Sequence, residues 1–464
     1  MGIAVGGKQK NVRDYFLGSD NIPWWAVCFS IVAAETSTLT FISIPGLAYL
    51  TNLNFLQVTI GFLIGRFIVA FLFLPAYFKG DLQTAYSYLE NRFGNKTRSF
   101  ASLTFIFTRV AADGVRLFAT AIPIYLILKI DPVFAIIITA LTALLYTYSG
   151  GLKGIIWVDV FQMFIYIGGA ITAGIFILNS LPDGWNTVLS TASSDNKFNI
   201  FNFGFDEGFA GFIKNPYTFL GGIIGGAFLS MASHGTDQLI VQRLLATKQL
   251  KSAQKAVIGS GVIVILQFAL FLVLGVMLYA HYGPMDVKSD EVFPMFIINQ
   301  LPEGVTGLII AGLLAAAMST LSGSLSSLSS STMLDLYLPK TKKILDEKKK
   351  LKISRLMTIA WAILLIVSSL FFMQSTKAVV EIALSIASFT YGGLLGIFLL
   401  GILIKNSRQK DALTGFIVCI IFMIIIVTIN LTGWTWYTFI GVSVCILTGG
   451  ISTKLSGERN NINN

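Results

Sequence analysis

Apolar runs of about twenty residues recur along almost the whole chain, separated by short polar or charged stretches. An α-helix needs a run of this length to cross a hydrocarbon core of about 30 Å. The pattern predicts twelve spans, with approximate bounds 23–49, 53–78, 99–128, 132–149, 154–180, 216–240, 253–281, 303–333, 353–373, 378–404, 412–431 and 434–452. Because 55% of the 464 residues are hydrophobic and only 12% are charged, we expect an all-α polytopic membrane protein.

Basic residues cluster in every second loop between these spans. Examples are the stretches 8–13, 92–98, 243–255 and 340–355, whereas the long segment 181–215 carries both signs of charge. Cytoplasmic loops are typically rich in Lys and Arg, so both termini are predicted to face the cytoplasm and 181–215 to be an extracellular loop. This placement explains the net charge of +10 without a nucleic-acid partner, and the expected location is the cell membrane.

The middle of the first span is unusually polar. Glu35, Thr36 and Ser37 follow each other there, Thr40 comes soon after, and the pair 45–46 is Pro-Gly. A carboxylate at mid-membrane costs roughly 2.5–3.5 kcal/mol on insertion scales, so it is rare unless it faces partners or water. Hydroxyls beside helix-weakening residues indicate a helix that is interrupted at membrane depth. Such interruptions are tolerated where the freed backbone groups line a cavity or bind a ligand.

The sixth span has the same character. Four glycines occupy its first half, and Ser230, Ser233, His234 and Asp237 follow. Two broken helices five spans apart are the sequence signature of inverted five-helix repeats in secondary transporters. The predicted organisation is a cytoplasmic segment 1–22, a first repeat 23–180, the extracellular loop 181–215, a second repeat 216–404, and two extra helices with a tail in 405–464.

Span eight carries a stripe of hydroxyls at helical spacing. Ser319, Ser322, Ser326 and Ser330 recur every three or four residues, and Thr320 is adjacent. Neutral hydroxyl oxygens suit Na⁺, a hard ion that needs less formal charge around it than a divalent ion does. Small residues also permit close helix packing, and spacing alone favours that explanation. Together with the broken first span, the stripe favours an ion site.

Buried charges mark a second candidate region. Span three places Arg109, Asp113 and Arg116 on one face, at i, i+4 and i+7. They form either a self-satisfied charge ladder or, because Arg offers a bidentate fork, a site for a solute carboxylate. Arg66 in span two has Glu35 on the neighbouring span as its natural partner.

Glu35 and His234 each allow two interpretations. Glu35 either recognises the solute or anchors freed amides of the helix break. His234, at the break of span six, either touches the solute or bonds a backbone carbonyl.

Several segments together resemble the sodium:solute symporter family. They are "DYFLGSDNIPWWAV" (14–27), "AAETSTLTFISIPGLAY" (33–49), "TAYSYLENRFG" (84–94), "GGLKGIIWVDVFQ" (150–162), "DQLIVQRLLA" (237–246), "AGLLAAAMSTLSGSLSSLSS" (311–330) and "YGGLLGIFLLGIL" (391–403). The resemblance implies an inverted-repeat bundle of the leucine-transporter type. Members of the family usually have a further helix before the first of these segments, and "GIAVGG" resembles its last turn.

The resemblance also implies specific ligands. Its sodium site corresponds to the backbone carbonyls of Ala33, Thr36 and Ala316 and the hydroxyls of Ser319 and Thr320. A candidate second sodium site, present in some members, corresponds to Asp159, Ser319 and Ser322, although Gly323 stands where a further serine would be expected. Glu35, Ser37 and Thr40 correspond to positions that face the central cavity, and the solute-binding candidates are Glu35, Ser37, Thr40, Arg66, Asp113, Arg116 and His234.

We therefore expect a Na⁺-coupled symporter that imports a small polar organic solute by alternating access. A sugar, an amino sugar and a small carboxylate remain open as solutes. The alternative is a proton-coupled carrier that uses Glu35 or Asp113. The sequence contains no Walker loop, HExxH motif or nucleophile elbow, so an enzyme is not expected. The expected partners are Na⁺, the solute and the lipid bilayer, and the expected state is a monomer, with an oligomer left open.

Overall fold

The computed structural model describes residues 2–18, 22–80, 82–205, 208–341, 344–373 and 379–462. Within these ranges the chain is helical, with turns and short loops and no β-strand. The helices up to the long loop are α1 (Gly2–Gly6), α2 (Val12–Leu17), α3 (Trp24–Glu35), α4 (Thr38–Leu50), α5 (Phe55–Ile68), α6 (Leu74–Lys79), α7 (Ala85–Phe93), α8 (Asn95–Leu128) and α9 (Pro132–Ser180). A π-helical turn, Val69–Phe73, joins α5 to α6.

The long loop and the second half of the chain contain the remaining helices. They are α10 (Trp185–Ser194), α11 (Gly208–Lys214), α12 (Phe219–Gly235), α13 (Gln238–Leu245), α14 (Leu250–Tyr282), α15 (Ser289–Asn299), α16 (Glu303–Ser330), α17 (Glu347–Phe372), α18 (Val379–Leu403), α19 (Gln409–Thr428) and α20 (Thr435–Ile462). A π-helical segment, Ser331–Tyr337, extends α16 toward the basic loop.

The predicted spans coincide with these helices over the described residues. Seven helices are long and apolar enough to cross a membrane by themselves, and the bent pair α3–α4 makes an eighth candidate. The helix α9 covers two predicted spans, because the loop expected near residue 151 is a kink: Gly151 has φ 55° and ψ −163° inside an otherwise continuous helix. Only glycine adopts such a conformation without strain, so a glycine permits the kink here.

Two groups of helices pack against each other. In one group, α5 lies along α12, and α14 contacts α3, α4 and α5. In the other group, α16 lies along α9, and α8, α16 and α17 contact one another. The first group contains spans one, two, six and seven, and the second contains spans three, eight and nine together with α9, which covers spans four and five. Corresponding spans of the two predicted repeats therefore fall into the same group.

Small residues bring α5 and α12 into close contact. A Cβ on Gly65 would lie 2.3 Å from the carbonyl oxygen of Ala227, and one on Gly226 would lie 2.4 Å from the carbonyl oxygen of Val58. Backbones at this separation exclude any side chain, as is common where membrane helices pack through small residues. The second and sixth spans are thus held together along α12, before this helix ends at Gly235.

Candidate functional site

The first span is broken where its sequence is polar, as predicted. The helix α3 ends at Glu35 and α4 begins at Thr38, and the segments Trp24–Glu35 and Thr40–Leu50 are bent by 63°. Thr36 (φ −77°, ψ 101°) and Ser37 (φ −92°, ψ 169°) have extended backbones. The last carbonyls of a helix have no partner within the helix, so the break directs the carbonyls near Ala33 and Thr36 toward other ligands.

The serine-rich helix α16 meets this break. The hydroxyl of Thr320 lies 3.3 Å from the carbonyl oxygen of Ala34 and 3.3 Å from that of Ala316, within its own helix. The side chains of Ser319 and Thr320 are buried. The structure therefore brings the end of α3 to hydrogen-bonding distance of α16, although the direct contact runs through Ala34, next to the predicted ligand Ala33.

The hydroxyl of Ser319 is oriented by a carboxylate. Its Oγ donates to Asp159 Oδ1 over 2.7 Å. Because the single hydroxyl proton is used in this bond, the oxygen lone pairs remain free to coordinate a cation. The oxygens of Ser319, Thr320 and the end of α3 are the neutral, hard donors that Na⁺ prefers, so the residues present fit this ion.

Two residues that the sequence analysis did not select support the break. Gln267 in α14 donates its Nε2 to the hydroxyl of Thr36 over 2.6 Å. Tyr166 in α9 donates to Gln267 Oε1 over 3.0 Å. The hydroxyl of Thr36 in turn donates to the carbonyl of Val32 over 2.9 Å. The only sequence signal for Gln267 is a lone amide in an apolar run, which does not reveal its partner.

The second candidate ion site contains a cation of the protein itself. Asp159 is fully buried, and Arg243 of α13 lies 3.1 Å from its Oδ2. Ser30 of α3 donates to the same oxygen over 2.5 Å. Ser322, a predicted ligand, donates to the backbone carbonyl of Ser319 over 3.0 Å. The sequence analysis did not identify Arg243.

Glu35, Arg66 and His234 form a cluster on the other side of the break. Arg66, which is fully buried, pairs with the Glu35 carboxylate as predicted, and its second terminal nitrogen donates to Ser260 over 2.9 Å. His234 Nε2 lies 3.6 Å from the same carboxylate. Four spans are joined here. Glu35 therefore links the break to α5 and α12 through the side chains of Arg66 and His234, and Arg66 continues the network to α14.

The charged residues of span three form a wider network than their spacing indicates. Asp113 is shared by Arg116, at 2.7 Å, and by Arg109, at 3.5 Å. Arg109 also pairs with Asp237, the residue that caps α13, and Tyr391 donates to Asp237 over 2.7 Å. The three charged residues of span three thus pair with one another, and the network extends across the bundle to the break of the sixth span.

Two small cavities flank Arg116. Each has a volume of about 10 Å³, comparable to the space that one water molecule needs. The polar residues lining the first are Ser37, Thr38, Asp113, Arg116, Thr120, Thr139 and Thr320. Those lining the second are Thr108, Arg109, Arg116, Asp237 and Tyr391. Of the predicted solute residues, Ser37, Asp113 and Arg116 meet at a cavity, whereas Glu35, Arg66 and His234 form the separate cluster and Thr40 lies further along α4.

Comparison with known proteins identifies relatives over almost the whole chain. The sodium/sialic acid symporter SiaT of Proteus mirabilis is 29% identical over 98% of this chain and 92% of that protein. The sodium-coupled monocarboxylate transporter 1 of mouse is 30% identical over 89% of this chain and 67% of that protein. The substrate-bound, outward-open structure of a Na⁺-coupled sialic acid symporter has a TM-score of 0.88 at 29% identity, and the match covers 98% of this chain and 94% of that one.

These likenesses confirm the inverted-repeat fold and the expectation of a transporter rather than an enzyme. They also confirm Na⁺ as the coupling ion, and they do not favour the proton-coupled alternative. The profile of the sodium:solute symporter family matches residues 15–419. The chain belongs to the sodium:solute symporter family.

Proposed function

We propose that this symporter imports a small hydroxylated carboxylate together with Na⁺. Arg116 carries the proposal. Its Nη1 donates to Asp113 over 2.7 Å, yet 28% of the side chain is exposed, beside the two cavities. Among the described residues its Nε and Nη2 have no hydrogen-bond partner, so one edge of the guanidinium is available. Such an edge can bind a carboxylate through two parallel hydrogen bonds.

The hydroxyls around Arg116 suit the rest of such a solute. Ser37, Thr38, Thr120 and Thr320 line the first cavity beside it, and Thr38 and Thr120 bond each other over 3.0 Å. Hydroxyls both donate and accept, so they can exchange their mutual bonds for bonds to solute hydroxyls. The names of two relatives agree with this chemistry, since sialic acid and monocarboxylates both carry a carboxylate.

The sodium site consists, in this proposal, of the carbonyls of Ala33, Thr36 and Ala316 and the hydroxyls of Ser319 and Thr320. Support comes from the contact between Thr320 and the end of α3 and from the orientation of Ser319. Thr320 also lines the cavity beside Arg116, and so does Ser37, which follows the proposed ligand Thr36; the sodium site and the solute cavity are therefore adjacent. Bound Na⁺ would stabilise one arrangement of α3 and α16 and so complete the solute cavity.

The proposed arrangement in the membrane follows the charges of the loops. The segment 1–22 and the tail after α20 face the cytoplasm, and 181–215 lies outside, because basic residues cluster in the alternate loops. The repeats comprise 23–180 and 216–404, and the working unit is a monomer. Labelling of single cysteines introduced into 8–10 and 186–190 from either side of the membrane tests the orientation.

Uptake into proteoliposomes tests the proposed solute. We expect radiolabelled sialic acid or lactate to enter when external Na⁺ is present and not when choline replaces it at fixed pH. Arg116→Gln should lower this uptake at least 100-fold, because it removes the charged fork, while stabilisation by Na⁺ remains. Arg355→Gln, which removes a part-buried arginine that contacts Gln9, is the matched control and should retain uptake within about twofold. If the Arg116→Gln variant took up carboxylates at the wild-type rate, the proposal would be contradicted.

A further inference from the structure

Four phenylalanines in the long loop are unusually exposed. Phe201, Phe203, Phe205 and Phe209, called here the aromatic strip, are 48%, 50%, 85% and 81% exposed. The rings of Phe201 and Phe203 stack with centroids 6.5 Å apart, and those of Phe203 and Phe205 stack with centroids 5.9 Å apart. Side chains of alternate residues in an extended segment share one side, so these three rings form one apolar surface. An exposed apolar surface of this kind marks a site of interaction.

The opposite side of the strip is polar and is fixed to the helices. Asn202 lies between two of the stacked phenylalanines, and its backbone nitrogen donates to Gln57 Oε1 of α5 over 3.2 Å. Its carbonyl accepts from the backbone nitrogen of Phe219, the first residue of α12, over 2.6 Å. Its side chain accepts from the backbone nitrogen of Gly204 over 2.8 Å. The segment is therefore held at the loop ends of α5 and α12, with its rings on the free side.

The last span fixes the level of the strip independently. The backbone nitrogen of Gly433, just before α20, donates to the carbonyl of Ile213 in α11 over 2.9 Å. The ring of Phe212, also in α11, lies 6.3 Å from that of Trp436 in the first turn of α20. Tryptophan at the end of a membrane span is typical of the interface between hydrocarbon and water. The strip therefore lies where α12 and α20 leave the hydrocarbon core.

The chemistry of the strip favours lipid as the partner. A phenyl ring has no hydrogen-bonding group, so the strip offers nothing to the hydroxyls of a sugar or to another hydrated ligand. The exposed Lys214 ends α11, and a lysine at this level can extend its charged end to a lipid phosphate while its stem stays in an apolar environment. Aromatic rings together with a flanking cation are characteristic of segments that lie in the membrane interface.

We propose that the aromatic strip inserts into the outer leaflet of the bilayer and anchors the loop there. Part of the segment predicted to be an extracellular loop is then a lipid-binding surface that holds the loop ends of α5 and α12 at the membrane. The inference goes beyond the proposed transport function. It depends on the proposed orientation only for the choice of leaflet.

Nitroxide labels on single cysteines measure the depth of the strip. The three natural cysteines are buried, so an introduced cysteine can be labelled selectively. Phe205→Cys and Phe209→Cys place a label in the strip, and Asn186→Cys places one on an exposed position of α10 in the same loop. In nanodiscs that hold one chain each, collisions with oxygen report on lipid and collisions with a nickel chelate report on water. We expect both strip labels about 5–10 Å below the lipid phosphates, as for other interfacial segments, and the label at 186 in water.

A carboxylate in the strip tests insertion in a second way. Charged side chains are costly in the apolar part of a bilayer, so Phe205→Asp should move a label at 209 toward water. The expected result is fewer collisions with oxygen and more with the nickel chelate. Ser190→Asp adds the same charge to an exposed position of the same loop and is the matched control. It should leave the depth of the label at 209 unchanged.

Each outcome decides the inference. Equal access of the nickel chelate to the labels at 186, 205 and 209 would overturn it. So would strip labels that reach water in nanodiscs with one chain and are protected in nanodiscs with two, because a second copy would then cover the strip. An unchanged depth of the label at 209 in Phe205→Asp would also contradict insertion. If one cysteine variant fails to fold, the other decides. The depth does not depend on which side the loop faces, so a wrong orientation and a wrong partner give different results.

Discussion

Ser319 is the residue on which the proposed ion chemistry depends. A hydroxyl has one proton and two lone pairs, and it coordinates a cation well only when the proton is directed elsewhere. Asp159 accepts that proton, and Arg243 and Ser30 hold Asp159 in place. Ser327, on the same helix, donates to the carbonyl of Ser324 over 3.1 Å and therefore bonds only its own helix.

This difference predicts unequal effects of two serine-to-alanine substitutions. Ser319→Ala should raise the Na⁺ concentration for half-maximal stabilisation and uptake at least tenfold, equivalent to about 1.4 kcal/mol, because a ligand oxygen is lost. Ser327→Ala, equally buried, should leave the sodium dependence unchanged. Thermal unfolding over a series of Na⁺ concentrations measures both. An unchanged sodium dependence in a folded Ser319→Ala variant would contradict the assigned ligand.

The sequence identified individual site residues only where a charged side chain lies within an apolar span, because such a residue has a high free-energy cost in the membrane. Glu35 and Arg66 stand out because buried charges are rare in membrane spans. Their ion pair was predicted because they carry opposite charges on neighbouring spans. Arg243 did not stand out, because it lies in a polar segment after span six that is equally typical of a cytoplasmic loop. Its partner Asp159 is 84 residues away, and no local pattern relates the two.

At the scale of elements, the broken helix and its neighbours explain how the site is built. The break between α3 and α4 was predictable, since hydroxyls and a carboxylate interrupt an apolar run. The supports of the break, Gln267 and Tyr166, depend on how α14 and α9 rotate about their axes, which the sequence does not specify. The close contact of α5 with α12 was likewise not predicted from the sequence.

The glycine contact between α5 and α12 gives a prediction about stability. Gly65→Ala would place a methyl group 2.3 Å from the carbonyl oxygen of Ala227, so the helices must separate. We expect a loss of about 1–3 kcal/mol, the usual cost of overpacking. Gly168→Ala in α9 is the control, because a Cβ there meets no atom within 4 Å. Thermal unfolding in detergent measures both variants, and equal midpoints would contradict this packing.

At the scale of the whole molecule, two groups of helices meet at the proposed sodium site. The end of α3 belongs to the first group and α16 to the second, and Thr320 bridges them. Arg109, paired with Asp237 and Asp113, makes a second bridge between the third span and the break of the sixth. An ion or a solute that binds between the groups therefore favours one of their relative positions, as alternating access requires.

The net charge moved in one transport cycle predicts how uptake depends on the membrane potential. If the cycle carries one Na⁺ with one singly charged carboxylate, the pair has no net charge, so the membrane potential should not drive its uptake. A neutral solute with one Na⁺ would instead gain about 2.3 kcal/mol per 100 mV. With a tenfold Na⁺ gradient we therefore expect about tenfold accumulation of lactate or sialic acid, equivalent to about 1.4 kcal/mol.

Proteoliposomes with a potassium gradient and valinomycin measure this independence of potential. Accumulation by the wild type should be the same at zero potential and at an inside-negative potential of about 100 mV. A potential-driven increase in the wild type would mean that a second Na⁺ enters or that the solute is uncharged. Equilibrium dialysis of the wild type with ²²Na⁺ separates these two cases, because only the first requires two bound ions.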